Sequence, residues 1–166
     1  MKTDPKDIIA QYVTENSASF YRIALSYTRN HDDALDIVQE AVYKALKSSH
    51  SLREPQYIKT WFHRILINTA IDTLRKSQRY QLTDDEAAFD APTQDHYENL
   101  DLQSALALLS DEQRMVVILR YFEDMRLQDI ADILNENLST VKTRLYAALK
   151  KLRIEIQSDE ERMSHA

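Results

Sequence analysis

Five positions in one short stretch carry side chains suited to an anionic partner. Ser139, Thr140, Lys142, Thr143 and Arg144 lie within NENLSTVKTRLYAALKKLR, residues 135–153, where five Lys or Arg follow Asn137 and no Asp or Glu does. Hydroxyls and cations hydrogen-bond phosphate oxygens and base edges, and a helix bearing them suits the major groove of duplex DNA. A second cluster lies earlier. Arg64, Asn68, Arg75 and Arg79 recur at i, i+4, i+11 and i+15, with Lys76 beside them, so one side of a helix presents cations and an amide. Asp72 lies on that stripe, within reach of Arg75 or Lys76. Taken alone, either basic run is equally a solvated helix face.

The elements that must position these residues read as helices. Leu127, Ile130, Ala131 and Leu134 mark a short helix, and Val141, Leu145, Ala148, Leu149, Leu152 and Ile156 line one face of the next. Only Asn135, Glu136 and Asn137 separate the two, the connection expected of a helix-turn-helix. Asn135 stands where a left-handed residue closes the first helix, and Asn137 is placed to cap the second. With Val141, Leu145 and Ala148 turned inward, Ser139, Thr140, Lys142, Thr143, Arg144 and Ala147 face outward. Upstream, Leu102, Ala105, Leu106 and Leu109 form one helical stripe, and Ser110 with Gln113 forms a capping box for a helix through Met115, Ile118, Leu119 and Phe122.

The other cluster belongs to a helix from about Tyr57 to Ser77, with Ile58, Trp61, Phe62, Ile65 and Leu66 as its apolar residues. Before it, Asn30 or His31 caps a helix whose stripe is Ala34, Val38, Ala41, Val42 and Ala45; Phe20, Ile23, Ala24 and Tyr27 mark an earlier one.

Charge divides the chain as periodicity does. The net charge is −6, yet residues 53–80 carry +4 and 138–153 carry +5, while 81–101 hold seven acids and no Lys or Arg. Charges more than about 8–10 Å apart are screened at physiological salt, so distant acids do not cancel the basic islands. We therefore expect an all-α protein of two small helical domains, 5–80 and 102–156, joined by a flexible acidic linker over 81–101, with a tail at 157–166. The absence of glycine excludes the phosphate-cradling loops of nucleotide enzymes and lowers the odds of tight hairpins. The absence of cysteine removes disulfides, thiolate metal sites and a cysteine nucleophile. With no long apolar run, a cytoplasmic protein is expected.

DDALDIVQEAVYKAL, IKTWFHRILINTAIDTLRK and LQDIADILNENLSTVKTRLYAALKKLR together resemble the extracytoplasmic-function (ECF) sigma factors, the two-domain initiation subunits of bacterial RNA polymerase. The resemblance spans about residues 15–156 and within the family is nearest the sigma-V type of Bacillus-like bacteria. Asn135 and Ser139 stand where the family often has Gly. The resemblance implies that 5–80 is sigma region 2 and 102–156 sigma region 4, with no cofactor and no metal. It implies that Asp33, Asp36, Gln39 and Glu40 dock on the β′ clamp, although Asp32 and Asp33 equally suit a helix start. It makes the loop 52–57 with Lys59, Arg64, Asn68, Arg75, Lys76 and Arg79 the minus-10 reader, and Ser139, Thr140, Lys142, Thr143 and Arg144 the minus-35 reader. Trp61 and Phe62 could stack on bases, but their apolar-face positions favour core packing. Implied partners are core RNA polymerase through the β′ clamp and β flap, promoter DNA, and a membrane-anchored anti-sigma factor, in an envelope-stress response. The acidic link is either a plain tether or a connector that threads the polymerase channels.

Two other functions are open to a helical chain. An enzyme is disfavoured: none of His31, His50, His63, His96 or His165 has Glu three residues before it, as a helical carboxylate metal centre would require. A stand-alone helix-turn-helix regulator would leave the second basic stripe without a purpose.

Overall fold

The computed structural model describes the backbone of residues 3–81 and 100–164 and the side chains of 3–76 and 104–153. The chain forms two compact units, Met1–Pro92 and Thr93–Ala166, and the described residues hold helices and no strand.

The first unit consists of α1 (Pro5–Thr28), α2 (His31–Lys47) and α3 (Ile58–Gln81), with short 3₁₀ turns at Ser49–Ser51 and Pro55–Tyr57. Asp4 caps α1, its carboxylate accepting from the Lys6 N–H at 2.9 Å, and Pro5 follows at the first helical position, where a missing N–H costs nothing. Midway, Asn16 leaves helical geometry at φ −121°, its side-chain amide donating to the Tyr12 carbonyl at 2.9 Å. On either side of this kink, Tyr12 and Phe20 both reach Phe62 of α3, with centroids 6.2 and 4.5 Å away. The edge of the His63 ring lies against Phe20. Ile9, Ile23, Ile37, Leu66, Ile67 and Ala70 complete the core.

Of the two candidate caps for α2, Asn30 serves, accepting from the Asp33 N–H at 3.1 Å. The buried stripe of α2 is Ala34, Ile37, Ala41 and Ala45; Val38 and Val42, expected in it, are only half-buried and Ile37 takes their place. Small residues at three of these four positions let α1 and α3 approach closely.

The second unit has three short helices, α4 (Leu100–Ala107), α5 (Asp111–Val117) running into a π-helical turn (Ile118–Phe122) and α6 (Leu127–Leu134), followed by the long α7 (Leu138–Ser164). The predicted capping box forms, with Ser110 Oγ accepting from the Gln113 N–H and Gln113 Oε1 from the Ser110 N–H. Arg114 is 4% exposed, and its guanidinium donates to the carbonyls of Leu106 and Leu109 and to Asp111, each at 3.1 Å. The end of α4 thus gains partners its own helix cannot supply. Gln81, Leu100 and Asp101, at the edges of the stretch read as a linker, are helical, and residues 82–99 lie outside the described set. Helix α7 continues through most of the stretch read as a tail.

Candidate nucleic-acid interface

Helices α6 and α7 meet at a turn of three residues. Asn135 adopts the left-handed conformation, φ 54° and ψ 47°, as its place after α6 predicts. The N–H of Glu136 then bonds back to the Ala131 carbonyl at 2.9 Å, and the Asn137 carbonyl accepts from Val141 to start α7. This closure pins both ends of the turn without glycine. Val141, Leu145 and Ala148 are buried, so the inward face of α7 is as expected.

The outward face is narrower than the sequence suggested. Ser139, Thr143, Tyr146 and Lys150 succeed one another at i, i+4, i+7 and i+11 and are all exposed, with exposed Lys142 beside them. Thr140, Arg144 and Ala147 stand half-buried on its flank. Thr143 spends its hydroxyl proton on the Ser139 carbonyl at 2.9 Å, which leaves its oxygen to act as an acceptor. Arg144 is engaged as well: its Nη2 donates to Glu136 Oε1 at 3.1 Å. Tyr146, 63% exposed in the middle of this face, was missed by a reading that looked for cations and short hydroxyls. The signal was its place seven residues after Ser139. Lys151, farther along, donates to Gln113 Oε1 at 3.0 Å and so ties α7 to the start of α5.

On α3, Arg64, Asn68, Arg75 and Lys76 are exposed, as is Asp72 among them. Trp61 departs from expectation. Phe62 is fully buried, but Trp61 is only half-buried and stands three residues before Arg64 and seven before Asn68, on the cationic face itself. Its indole N–H donates to Ser51 Oγ at 3.0 Å, which fixes the ring against the preceding turn. Lys59 is exposed but, at about 100° per residue, points some 140–180° around the helix from Arg64 and Asn68 and does not join them. The Arg79 side chain lies outside the described residues. A cavity of about 300 Å³ on the α2–α3 seam is lined by Glu40, Lys44, Thr69, Asp72, Arg75 and Lys76, so Glu40 of α2 borders the cationic helix.

On α2, Asp33, Asp36, Gln39 and Glu40 are all exposed. Leu35, Gln39 and Tyr43 follow at i, i+4 and i+8, with Leu35 40% and Tyr43 61% exposed. These two large apolar side chains make the acidic face amphipathic. Their spacing beside Asp36 and Glu40 was the available signal.

Similarity to known proteins follows the same division. The family model described as Sigma-70 region 2 matches residues 12–80, and Sigma-70, region 4 matches 99–152. Over 161 residues the chain is 45% identical to RNA polymerase sigma factor SigV of Bacillus subtilis (strain 168), covering 96% of this chain and 97% of that one. It is 28% identical over 174 residues to the ECF RNA polymerase sigma factor SigW of the same strain, covering 95% and 93%. Among solved structures, the sigma factor RpoE in complex with the anti-sigma factor NepR from Bartonella quintana matches with TM-score 0.76 at 28% identity, over 90% of this chain and 97% of that one. CnrH, in complex with the cytosolic domain of CnrY, shares the fold with TM-score 0.65 at 21% identity.

Two helical units, the second built on a helix-turn-helix and each matching one sigma region in chain order, define a transcription-initiation factor rather than a stand-alone regulator. The chain belongs to the ECF branch of the sigma-70 family, the promoter-specificity subunits of bacterial RNA polymerase. Among its described residues no helix is long and apolar enough to cross a membrane.

Proposed function

We propose that α7 reads the minus-35 element and α3 the minus-10 element, while the exposed face of α2 docks on the β′ clamp. The observation that carries this reading is the line Ser139, Thr143, Tyr146 and Lys150, exposed on a helix separated from α6 by three residues. Such a helix presents its first turns to base edges and later residues to phosphates. Ser139 and Thr143 take the base-edge positions; Lys142, Lys150 and the Tyr146 hydroxyl take phosphates.

On α3, Arg64, Arg75 and Lys76 hold the backbone of the separated strand and Asn68 hydrogen-bonds a base. The half-buried Trp61 adds an aromatic surface on which an unstacked base can rest. Leu35 and Tyr43 join Asp36, Gln39 and Glu40 in the polymerase-docking face, because an interface needs apolar area as well as charge. The second unit docks on the β flap. The protein works in the cytoplasm in an envelope-stress response and is held inactive by a membrane-anchored anti-sigma factor; the solved RpoE complex with the anti-sigma factor NepR supports an anti-sigma partner.

Salt-titrated promoter binding by the holoenzyme tests the reading. Replacing Lys142 by Ala is expected to weaken every promoter alike and to flatten the salt dependence by about one unit. A folded K142A variant with unchanged affinity and slope would remove α7 from the DNA.

A further inference from the structure

The turn of the helix-turn-helix contains an acid where a DNA-binding surface gains nothing from one. Glu136 sits between α6 and the +5 stretch of residues 138–153. Its backbone N–H is fixed to the Ala131 carbonyl at 2.9 Å, so its side chain starts from a rigid point. Its Oε1 accepts from Arg144 Nη2 at 3.1 Å, across eight residues, and the two side chains are 37% and 22% exposed. A carboxylate here is repelled by the phosphates of every duplex, whatever its sequence, and one of its oxygens is already taken by Arg144. Its contribution must therefore lie elsewhere than in affinity.

We propose that Glu136 is a positioning residue that sets base specificity through Arg144. This rests on the reading of α7 as the minus-35 helix. A guanidinium carries five donors in a fixed fork, so one edge can stay on the carboxylate while the other addresses a base. Held in this way, Arg144 loses less rotamer freedom when it meets guanine O6 and N7. Where a base offers no such pair of acceptors, the guanidinium stays on the carboxylate and does not swing away to a phosphate instead. The pair thus penalises wrong sequences as well as orienting the arginine for the right one.

The test is selection by holoenzyme, assembled from the full chain and core RNA polymerase, on a pool of promoter-length duplexes of randomised sequence. The unsubstituted protein is expected to enrich an upstream element, and R144A to flatten preference at one base pair of it. Glu136→Ala is expected to flatten that same base pair by about fivefold or more while raising retention of unselected duplex. Glu136→Gln, which keeps an oxygen acceptor for the guanidinium, is expected to restore part of the preference. An E136A profile like the unsubstituted one overturns the proposal, as does loss at a base pair other than Arg144's, equal loss at every position, or no recovery in E136Q. If the unsubstituted holoenzyme enriches no upstream element, the reading of α7 fails first and this proposal with it.

Discussion

The two units reach stability by different routes. The first has three helices of 17 to 24 residues and a core centred on the tilted Phe20–Phe62 pair with Tyr12 beside it. The second packs its long α7 against short pieces, α4 and α6 of 8 residues each and an α5 of 7 that runs on into the π turn. A helix of 8 residues leaves about half of its backbone groups without an intrahelical partner. Side chains supply some of those partners. Arg114 takes the carbonyls at the end of α4, Ser110 and Gln113 box the start of α5, and Arg120 donates to the Met125 carbonyl at 2.9 Å, beyond the π turn. Long helices convert an apolar stripe directly into a core; short helices need named polar residues at their ends. Buried polar groups at helix ends are therefore expected to matter more in the second unit than in the first.

The comparison is broken most sharply by removing one centre from each unit. Phe62→Ala is expected to cost the first unit about 3–5 kcal/mol. Arg114→Ala is expected to cost the second about 1–3 kcal/mol, because the Leu109 carbonyl loses its guanidinium donor and the Leu106 carbonyl one of two donors. Trp61 is the single tryptophan in the sequence and lies in the first unit, so its fluorescence follows that unit's unfolding while far-ultraviolet circular dichroism follows both. F62A should move the fluorescence midpoint and R114A should leave it in place. If R114A moves the fluorescence as far as F62A does, the units do not unfold separately and the contrast fails.

Trp61→Ala sharpens the contrast within α3, where adjacent aromatics do different work. Because Trp61 is only half-buried, its loss is expected to cost strand separation about 1–3 kcal/mol, measured as open-complex formation by the holoenzyme, while duplex binding and the fold persist. Full open-complex formation by W61A would return the ring to a packing role.

The smallest expected effect concerns backbone strain in a chain without glycine. Arg29, Asp124 and Asn135 hold φ of 55°, 53° and 54°. Arg29→Gly is expected to stabilise the first unit by up to about 1 kcal/mol in thermal unfolding, since a side chain with Cβ is strained there. Asn135→Gly should change the second unit less, because Asn tolerates this region better. An equal gain at both positions would show that residue type does not matter at these caps.

Helix existence was legible in the sequence because it rests on neighbours within one or two turns: apolar spacing, the Ser110–Gln113 box and the placement of Asn135 are all local. The division into two basic islands was legible for the same reason, since charge is counted along the chain. Which face each borderline residue takes was not. Trp61 and Phe62 are both aromatic and adjacent, but 100° of rotation put Phe62 against Phe20 and Trp61 beside the cationic stripe, and only the packing of α1 on α3 settles where that boundary falls. The same rotation separates Lys59 from Arg64 and brings Tyr146 into line with Thr143. Arg144 read as a free cation because its partner lies eight residues back, across a turn whose left-handed residue redirects the chain. The sequence determined that Glu136 and Arg144 would flank one turn; the turn's geometry decided that they would meet at 3.1 Å.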